Sequence, residues 1–403
     1  MRSIMEDRDS VNESDTPKGP LAGIRVLDLA TMLVGPMAAQ AMGDMGADVI
    51  KVEAPGGDLM RRIGPRHSPD MGSFYLGCNR NKRSIELDLK TAEGRTVFEA
   101  LVRSSDIVVH SIRADAAGRL GLSYDTLAQL NPKIILCRVM GFADDGPYGG
   151  KPAYDDVAQA VSGLASLQSV VAGEPRYVPS CMADKITSMY AMHAISMALI
   201  HRLRTGQGQE VCVPMFESMV SFNMHEHQWG ETFIPAKGGM GYPPVSTAAR
   251  RPFRTTDGYL CVLPYTDKHW AAFCEVVGDP ALTADPRYAT HAARQADQMG
   301  FWNEVGRRVR TRTTADWIEA LTRADVPFGR VNSLEDLLAD PHLEGVGFWQ
   351  THEHPSEGTL RVPSPSIAMS ASPPSVRSLP PRLNEHGAQI LAELGLAPHT
   401  PAG

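Results

Sequence analysis

Residues 24–52 read IRVLDLATMLVGPMAAQAMGDMGADVIKV, and the alternation of textures within them decides the fold. Ile24 to Leu29 is a short β-rich run, Pro36 to Asp44 has helical character and stops at Gly46, and Val49 to Val52 is a second apolar run. Together they predict a βαβ unit. Further along, Ser84 to Leu87 reads as strand, Ala92 to Arg103 as helix, Asp106 to Val109 as strand, Tyr124 to Leu130 as helix and Ile134 to Val139 as strand. Strands alternating with helices predict an α/β fold, with a parallel sheet covered on both faces.

Ile186 to Leu203 carries apolar side chains at helical spacing and ends in Arg202, Arg204 and Gly206, which are last-turn and stop residues. A further sheet-like run follows at Glu210 to Met215, and then a Gly and Pro stretch, PAKGGMGYPP (235–244), which marks a domain boundary. Beyond it RTTDGYLCVLPY (254–265) has the form of a hairpin turning at Asp257-Gly258, followed by helical segments near Trp270, Phe301 and Trp317. The expected organisation is a polar, disordered leader over 1–20, a large domain over 21–225, a smaller α+β domain over 240–338 and a returning segment over 345–403. Its Pro- and Ser-rich stretch precedes an amphipathic segment, Ala388 to Leu396, suited to pack back on the large domain.

Composition limits the partners. Of 403 residues, 43% are hydrophobic and 21% charged, the balance of a water-soluble globular chain with room for two cores. Thirty-nine Lys and Arg against 46 Asp and Glu give a formal charge of −7, which argues against nucleic acid, and no apolar run reaches membrane-spanning length. The six cysteines, Cys78, Cys137, Cys181, Cys212, Cys261 and Cys274, show no metal-ligand spacing and fit reduced thiols of a cytoplasmic protein.

Several residues invite two readings. The first βα turn, ATMLVGP (30–36), lies where a doubly wound sheet binds nucleotides, but it is not GxGxxG and Gly35-Pro36 also suits a plain tight turn. Asp184 stands just before the long helix and either caps its free N–H groups or is held as a carboxylate nucleophile by the positive helix end. The acids in KPAYDDVAQA (151–160) divide between capping and solvent, and Gly238, Gly239 and Gly241 form either a linker or a lid. His225 and His227 lack a third ligand nearby, and no histidine is assigned to catalysis or to a metal.

Read together, PLAGIRVLDLATMLVGP (20–36), GDMGADVIKVEAPGGD (43–58), NRNKRSIELDLKTAEGR (79–95), RLGLSYDTLAQLNPKII (119–135) and YDDVAQAVSGL (154–164) resemble the class III CoA-transferase family. So do MADKITSMYAMHAISMALIHRLRTGQGQEVCVPMFE (182–217), RPFRTTDGYLCVLP (251–264) and VPFGRVNSLEDLLADPH (326–342), in the same order. The family is also called CaiB/BaiF and includes formyl-CoA transferase-like enzymes.

The resemblance implies that Asp184 is the catalytic aspartate, attacking an acyl-CoA to form a mixed anhydride and then an aspartyl-CoA thioester. It places CoA contacts on Leu33, Val34, Leu87, Asp88, Leu89, Lys90, Ser111, Ile112, Arg113, Arg119, Pro152, Ala153, Tyr154 and Asp155, with Arg119 as phosphate ligand, and a lid at Gly238, Gly239 and Gly241. It also implies a Rossmann-like large domain built from both chain ends, an interlocked homodimer, and coenzyme A and acyl-CoA as substrates with no permanently bound cofactor. Two departures bear on the nucleotide contacts: Ser111–Asp115 reads SIRAD where many members have NFRPG, and Ala54 stands where some place an Arg.

An α-methylacyl-CoA racemase of the same family would need a histidine where this chain has Tyr154, and a phenol with an ordinary pKa of about 10 is a poor base near neutrality. A binding protein without catalysis is the other alternative, and the retained Asp184 argues against it.

Overall fold

The computed structural model describes residues 19–397, so nearly all of the leader expected over 1–20 lies outside the described residues. In chain order the elements that place the site are β1 (Arg25–Asp28), α1 (Val34–Asp44), β2 (Asp48–Glu53), β3 (Lys82–Glu86), α2 (Ala92–Arg103), β4 (Ile107–His110), α3 (Ala114–Arg119), α4 (Tyr124–Leu130), β5 (Ile135–Met140) and α5 (Asp155–Val161). They continue with α6 (Met182–Thr205), β6 (Gln209–Pro214) and α7 (Met215–His227).

The six strands form one sheet in the order β3-β2-β1-β4-β5-β6, with every neighbour parallel. The chain works outward from β1 to β3, then returns to lay β4 on the other side of β1. Successive connections therefore leave β1 and β4 in opposite directions, and a crevice opens at their carboxyl ends.

The strands fall within two residues of their expected positions, and two helix starts differ in a way that matters. Helix α1 begins at Val34 rather than Pro36, because a proline in the first turn forfeits only an N–H that has no intrahelical partner. Helix α6 begins at Met182 rather than Ile186, which puts Asp184 inside its first turn instead of ahead of it.

Two compact units divide the chain. One holds the residues up to Ser162, Pro179–Val220 and those from His342 onward; the other holds Gly163–Val178 and Ser221–Pro341. The division between Val220 and Ser221 lies inside α7, ahead of the expected breaks at 225 and 240, because a continuous helix carries the chain across and the Gly and Pro stretch comes only afterwards. The short segment 163–178 also belongs to the second unit, which nothing in its composition announces.

In the first unit Leu27, Ile50, Ile85, Val108 and Leu136 of the sheet pack with Phe98 and Leu101 of α2. Burial of each such side chain is worth about 1.5–3 kcal/mol. Ile390 and Leu391 of the C-terminal helix Gly387–Glu393 join the same core, as the amphipathic pattern there predicts. The second unit is built on the antiparallel strands β7 (Phe253–Arg254), β8 (Tyr259–Val262) and β9 (Phe328–Arg330). Its core is aromatic: Trp270, Phe273, Trp302 and Trp317 are buried together, and Trp317 Nε1 donates to the Val309 carbonyl at 2.8 Å.

A charged cluster lies under the first βα turn. Asp28, at the end of β1, is fully buried; Lys82 Nζ approaches its Oδ2 to 2.7 Å and Lys51 Nζ to 3.8 Å. Lys82 also donates to the Pro36 carbonyl and to Asn79 Oδ1, each at 2.8 Å, and Lys51 reaches Asp58 at 3.1 Å. Burial works against the charged form of Asp28, but the two ammonium groups outweigh it and hold the carboxyl below the usual carboxylate range. Removing one partner from such a cluster strands a buried charge, at a cost of about 3–5 kcal/mol. Lys82→Met is therefore expected to lower the unfolding free energy by about that amount in urea titration, with part recovered in Asp28→Asn/Lys82→Met. An unchanged urea midpoint for Lys82→Met would show that the pair contributes nothing to folding.

Candidate active site

The turn after β1 is held from several sides. Asp28 Oδ1 accepts the Ala30 N–H at 3.1 Å, Lys51 Nζ donates to the Ala30 carbonyl at 3.0 Å, and Asp58 Oδ1 accepts the Met32 N–H at 3.3 Å. Met32 sits at φ 63°, a left-handed conformation that a non-glycine residue keeps only when its surroundings impose it. Gly35 has no alternative, since a Cβ there would overlap that of Ala30. So fixed, the turn exposes Thr31 to Val34 to a cavity.

That cavity, of about 440 Å³, opens at the carboxyl ends of β1, β4 and β5, and a neighbouring one of about 190 Å³ shares Thr31 and Ile112 with it. The larger takes in Leu33, Val34, Ser111, Ile112, Arg113, Pro152, Ala153, Tyr154, Asp155 and Asp184. The smaller takes in Leu87, Asp88, Leu89 and Lys90. Residues expected at one site from five separate stretches of chain thus line two adjoining cavities. Arg119 lines neither; it is exposed at the end of α3, beside Leu120, which lines the smaller one. Gly238, Gly239 and Gly241 belong to the second unit, where the Gly241 N–H donates to the His227 carbonyl at 2.7 Å and the Tyr242 N–H to His227 Nδ1 at 3.1 Å.

Asp184 is the third residue of α6, and the N-cap residue Cys181 makes no capping bond with its side chain. The cap comes from another helix: Asp155, in the first turn of α5, accepts the Asp184 backbone N–H on Oδ1 at 3.0 Å. Gln159 Nε2 braces Asp155 Oδ2 at 2.6 Å and also reaches the Ser180 carbonyl at 3.2 Å. Asp155 thus supplies the acceptor for this N–H, and the Asp184 carboxyl lines the cavity.

Burial, and then the negative charges of Asp155 and Asp156, push the Asp184 pKa up to about 7. Half a positive charge at a helix end is a weaker influence than desolvation combined with two like charges.

The structure adds residues that the sequence reading passed over. Arg138, at the carboxyl end of β5, lines the cavity while bound to Glu210 at 2.6 Å and Asp144 at 2.8 Å. Lys151 lies 4.4 Å over the Tyr148 ring, which packs with Phe142 and Phe216. The rule that ligands sit at carboxyl ends of parallel strands could have pointed to Arg138. His110, at the end of β4, is buried and pushed down to about 4 by desolvation, so at neutral pH it is uncharged and fixes the next turn by accepting the Ile112 N–H at 3.2 Å.

Residues 21–387 match CoA-transferase family III. The chain is 38% identical over 390 residues to the succinate–glutarate CoA-transferase of Agrobacterium fabrum, covering 94% of this chain and 96% of that protein. It is 31% identical over 378 residues to the succinyl-CoA:glutarate CoA-transferase of Homo sapiens, with 93% and 86% covered. The crystal structure of a CaiB/BaiF family protein from Brucella suis superposes with a TM-score of 0.81 at 31% identity, covering 94% of this chain and all of that one.

The geometry predicts that Asp184, followed by carbon-13 NMR of labelled aspartate, titrates near pH 7, and that Asp155→Asn lowers that pKa by removing the nearer negative charge. A midpoint unmoved by the substitution would dissociate Asp155 from the titration.

Proposed function

Since the chain belongs to CoA-transferase family III, we propose that it moves coenzyme A from an acyl-CoA to a free carboxylic acid through covalent intermediates on Asp184. The observation that carries this reading is the exchange of roles at the start of α6. An acid in a helix's first turn ordinarily spends its oxygens on backbone donors, whereas here Asp155 takes that duty and Asp184 faces the cavity.

In the proposed cycle the Asp184 carboxylate attacks the thioester carbonyl of the donor, the C–S bond breaks, and CoA leaves as thiolate from a mixed anhydride. The thiolate attacks the Asp184 carbonyl carbon, releasing the donor acid and leaving an aspartyl-CoA thioester. The acceptor carboxylate then repeats the two steps in reverse, and Asp184 returns as carboxylate. Only the ionised form begins the cycle, so exchange rises as pH passes through about 7. Keeping CoA bound between steps makes each attack effectively intramolecular.

Cationic side chains suit the nucleotide: Lys90 at the smaller cavity, Arg113 and Lys151 at the larger, and Arg119 at the exposed end of α3 as the phosphate ligand that the family resemblance implies. The backbone N–H groups of Leu33 and Val34, which follow the left-handed Met32 and line the cavity, are the donors this reading assigns to a developing oxyanion. The relatives named for succinate and glutarate support short dicarboxylic acids as the acids exchanged. The glycines at 238, 239 and 241 keep the lid role in this reading; Gly238 at φ 139° and Gly241 at φ 101° occupy backbone conformations that side chains disfavour.

The reading includes a cytoplasmic, interlocked homodimer. One face of α6 is buried along Ala183, Ile186, Ala191 and Ile195, while Met189 and Leu203 on other faces are 63% and 78% exposed, apolar surface suited to a second subunit. Among the described residues no helix is long and apolar enough to cross a membrane.

Asp184→Asn is expected to reduce succinyl-CoA:glutarate exchange by about a thousandfold or more and to abolish the covalent adduct seen by intact-protein mass spectrometry after incubation with succinyl-CoA. Near-normal turnover would remove Asp184 from its role. The folded state holds the Asp184 proton up to about pH 7 while the unfolded chain releases it near the ordinary 3.8, so this carboxyl costs stability increasingly as pH rises through that interval. Asp184→Asn should therefore melt higher than wild type at pH 8 and alike at pH 4. Sedimentation velocity should show a dimer that persists on dilution; a concentration-dependent monomer would contradict interlocking.

A further inference from the structure

The second unit contains a pocket that the transferase reading does not use. It measures about 210 Å³ and is lined by Arg251, Arg254, Arg307 and Arg310 around a floor of Phe253 and Trp302. The two rings are buried and stacked with centroids 6.3 Å apart, so the floor is rigid and apolar. Gly306 lets the helix Gln298–Val309 lie directly against the floor, since a Cβ there would press on the Phe253 ring.

The charge balance of this pocket is unusual for a chain whose formal net charge is −7. Among the described residues no carboxylate lines it. Arg307 is neutralised by Glu304 at 2.6 Å, but among the described residues Arg251, Arg254 and Arg310 are paired with no acid. Arg251 makes one bond, to the Ala248 carbonyl at 3.1 Å. Arginines near a helix's carboxyl end are favoured by its dipole, yet that end supplies only about half a negative charge. Three guanidinium groups at one small pocket therefore retain an excess of about two and a half positive charges.

We propose that this pocket binds a compact anion carrying two or more oxyanion groups, of the size of pyrophosphate or citrate. Guanidinium forks match phosphate and carboxylate oxygens two at a time, and an arriving polyanion relieves the mutual repulsion of the arginines. The buried floor offers no exposed aromatic face on which a base could stack, so a nucleotide is not the fitting ligand. All of its lining residues lie in the second unit, whereas those of the Asp184 cavity lie in the first, so the two share no lining residue.

The test is isothermal titration of the full-length protein at low ionic strength with pyrophosphate and, separately, with citrate. One saturable site per chain is expected for at least one of them, and which one binds tells phosphate from carboxylate recognition. Arg254→Gln/Arg310→Gln should weaken it at least about tenfold, the loss of roughly 1.4 kcal/mol of charge-assisted bonding, and added sodium chloride should weaken the wild-type site. Saturating CoA should leave it unchanged, as should Asp184→Ala. Should the double variant fold poorly, the two single substitutions carry the same comparison. The proposal is overturned by the absence of saturable binding of both anions, by equal affinity in the arginine variants, or by competition with CoA.

Discussion

The buried Asp28 carboxylate is the constraint on which the rest of the first unit turns. It lies at the end of the central strand, where the sheet reverses its order, and it is shared between Lys82 from β3 and Lys51 from β2. Each lysine continues to a backbone carbonyl of the crossing turn or helix, Lys51 to Ala30 and Lys82 to Pro36. One ionic cluster thereby fixes three parallel strands and the loop that leaves them. In low dielectric such a cluster is tolerable only when every charge is paired, and this all-or-none character gives the turn at Met32 a single shape despite its left-handed backbone.

A second economy appears at the start of α6. A helix N-terminus needs acceptors for its free N–H groups, and a nucleophilic carboxylate needs to be free of them. In the proposed cycle the two needs are separated, since the cap comes from Asp155 on a different helix, braced by Gln159. The cost is a pair of acids held close together, visible in the raised pKa of Asp184, and a group so perturbed inside a cavity is a mark of chemistry more than of stability.

Much of the fold is legible in the sequence. The strands IRVLDL and VIKV, the helix ending at Arg103 and the long helix ending at Gly206 stand close to where periodicity puts them, because apolar spacing reflects local geometry that burial on a sheet then selects. The helix starts at Val34 and Met182 carry no sequence signal, since Gly35-Pro36 is equally at home in a turn and Cys181 is not of a capping residue type. The unit boundary inside α7 and the inclusion of 163–178 in the second unit were not legible at all, for they depend on which surfaces pack together and not on local composition.

Sequence by itself determined the alternation of strands and helices, the family to which the chain belongs, and Asp184 as the residue to examine, because these rest on local pattern and on blocks of residues kept in order. Only the tertiary structure decided the upward shift of the Asp184 pKa, the identity of its cap, the division of the expected contacts between two cavities, and the gathering of four arginines at one pocket of the second unit. The physical reason is that a pKa, a cap borrowed from another helix and an electrostatic pocket are all properties of distances through space. Asp155 and Asp184 are 29 positions apart along the chain, and their 3.0 Å bond exists only once α5 and α6 have packed.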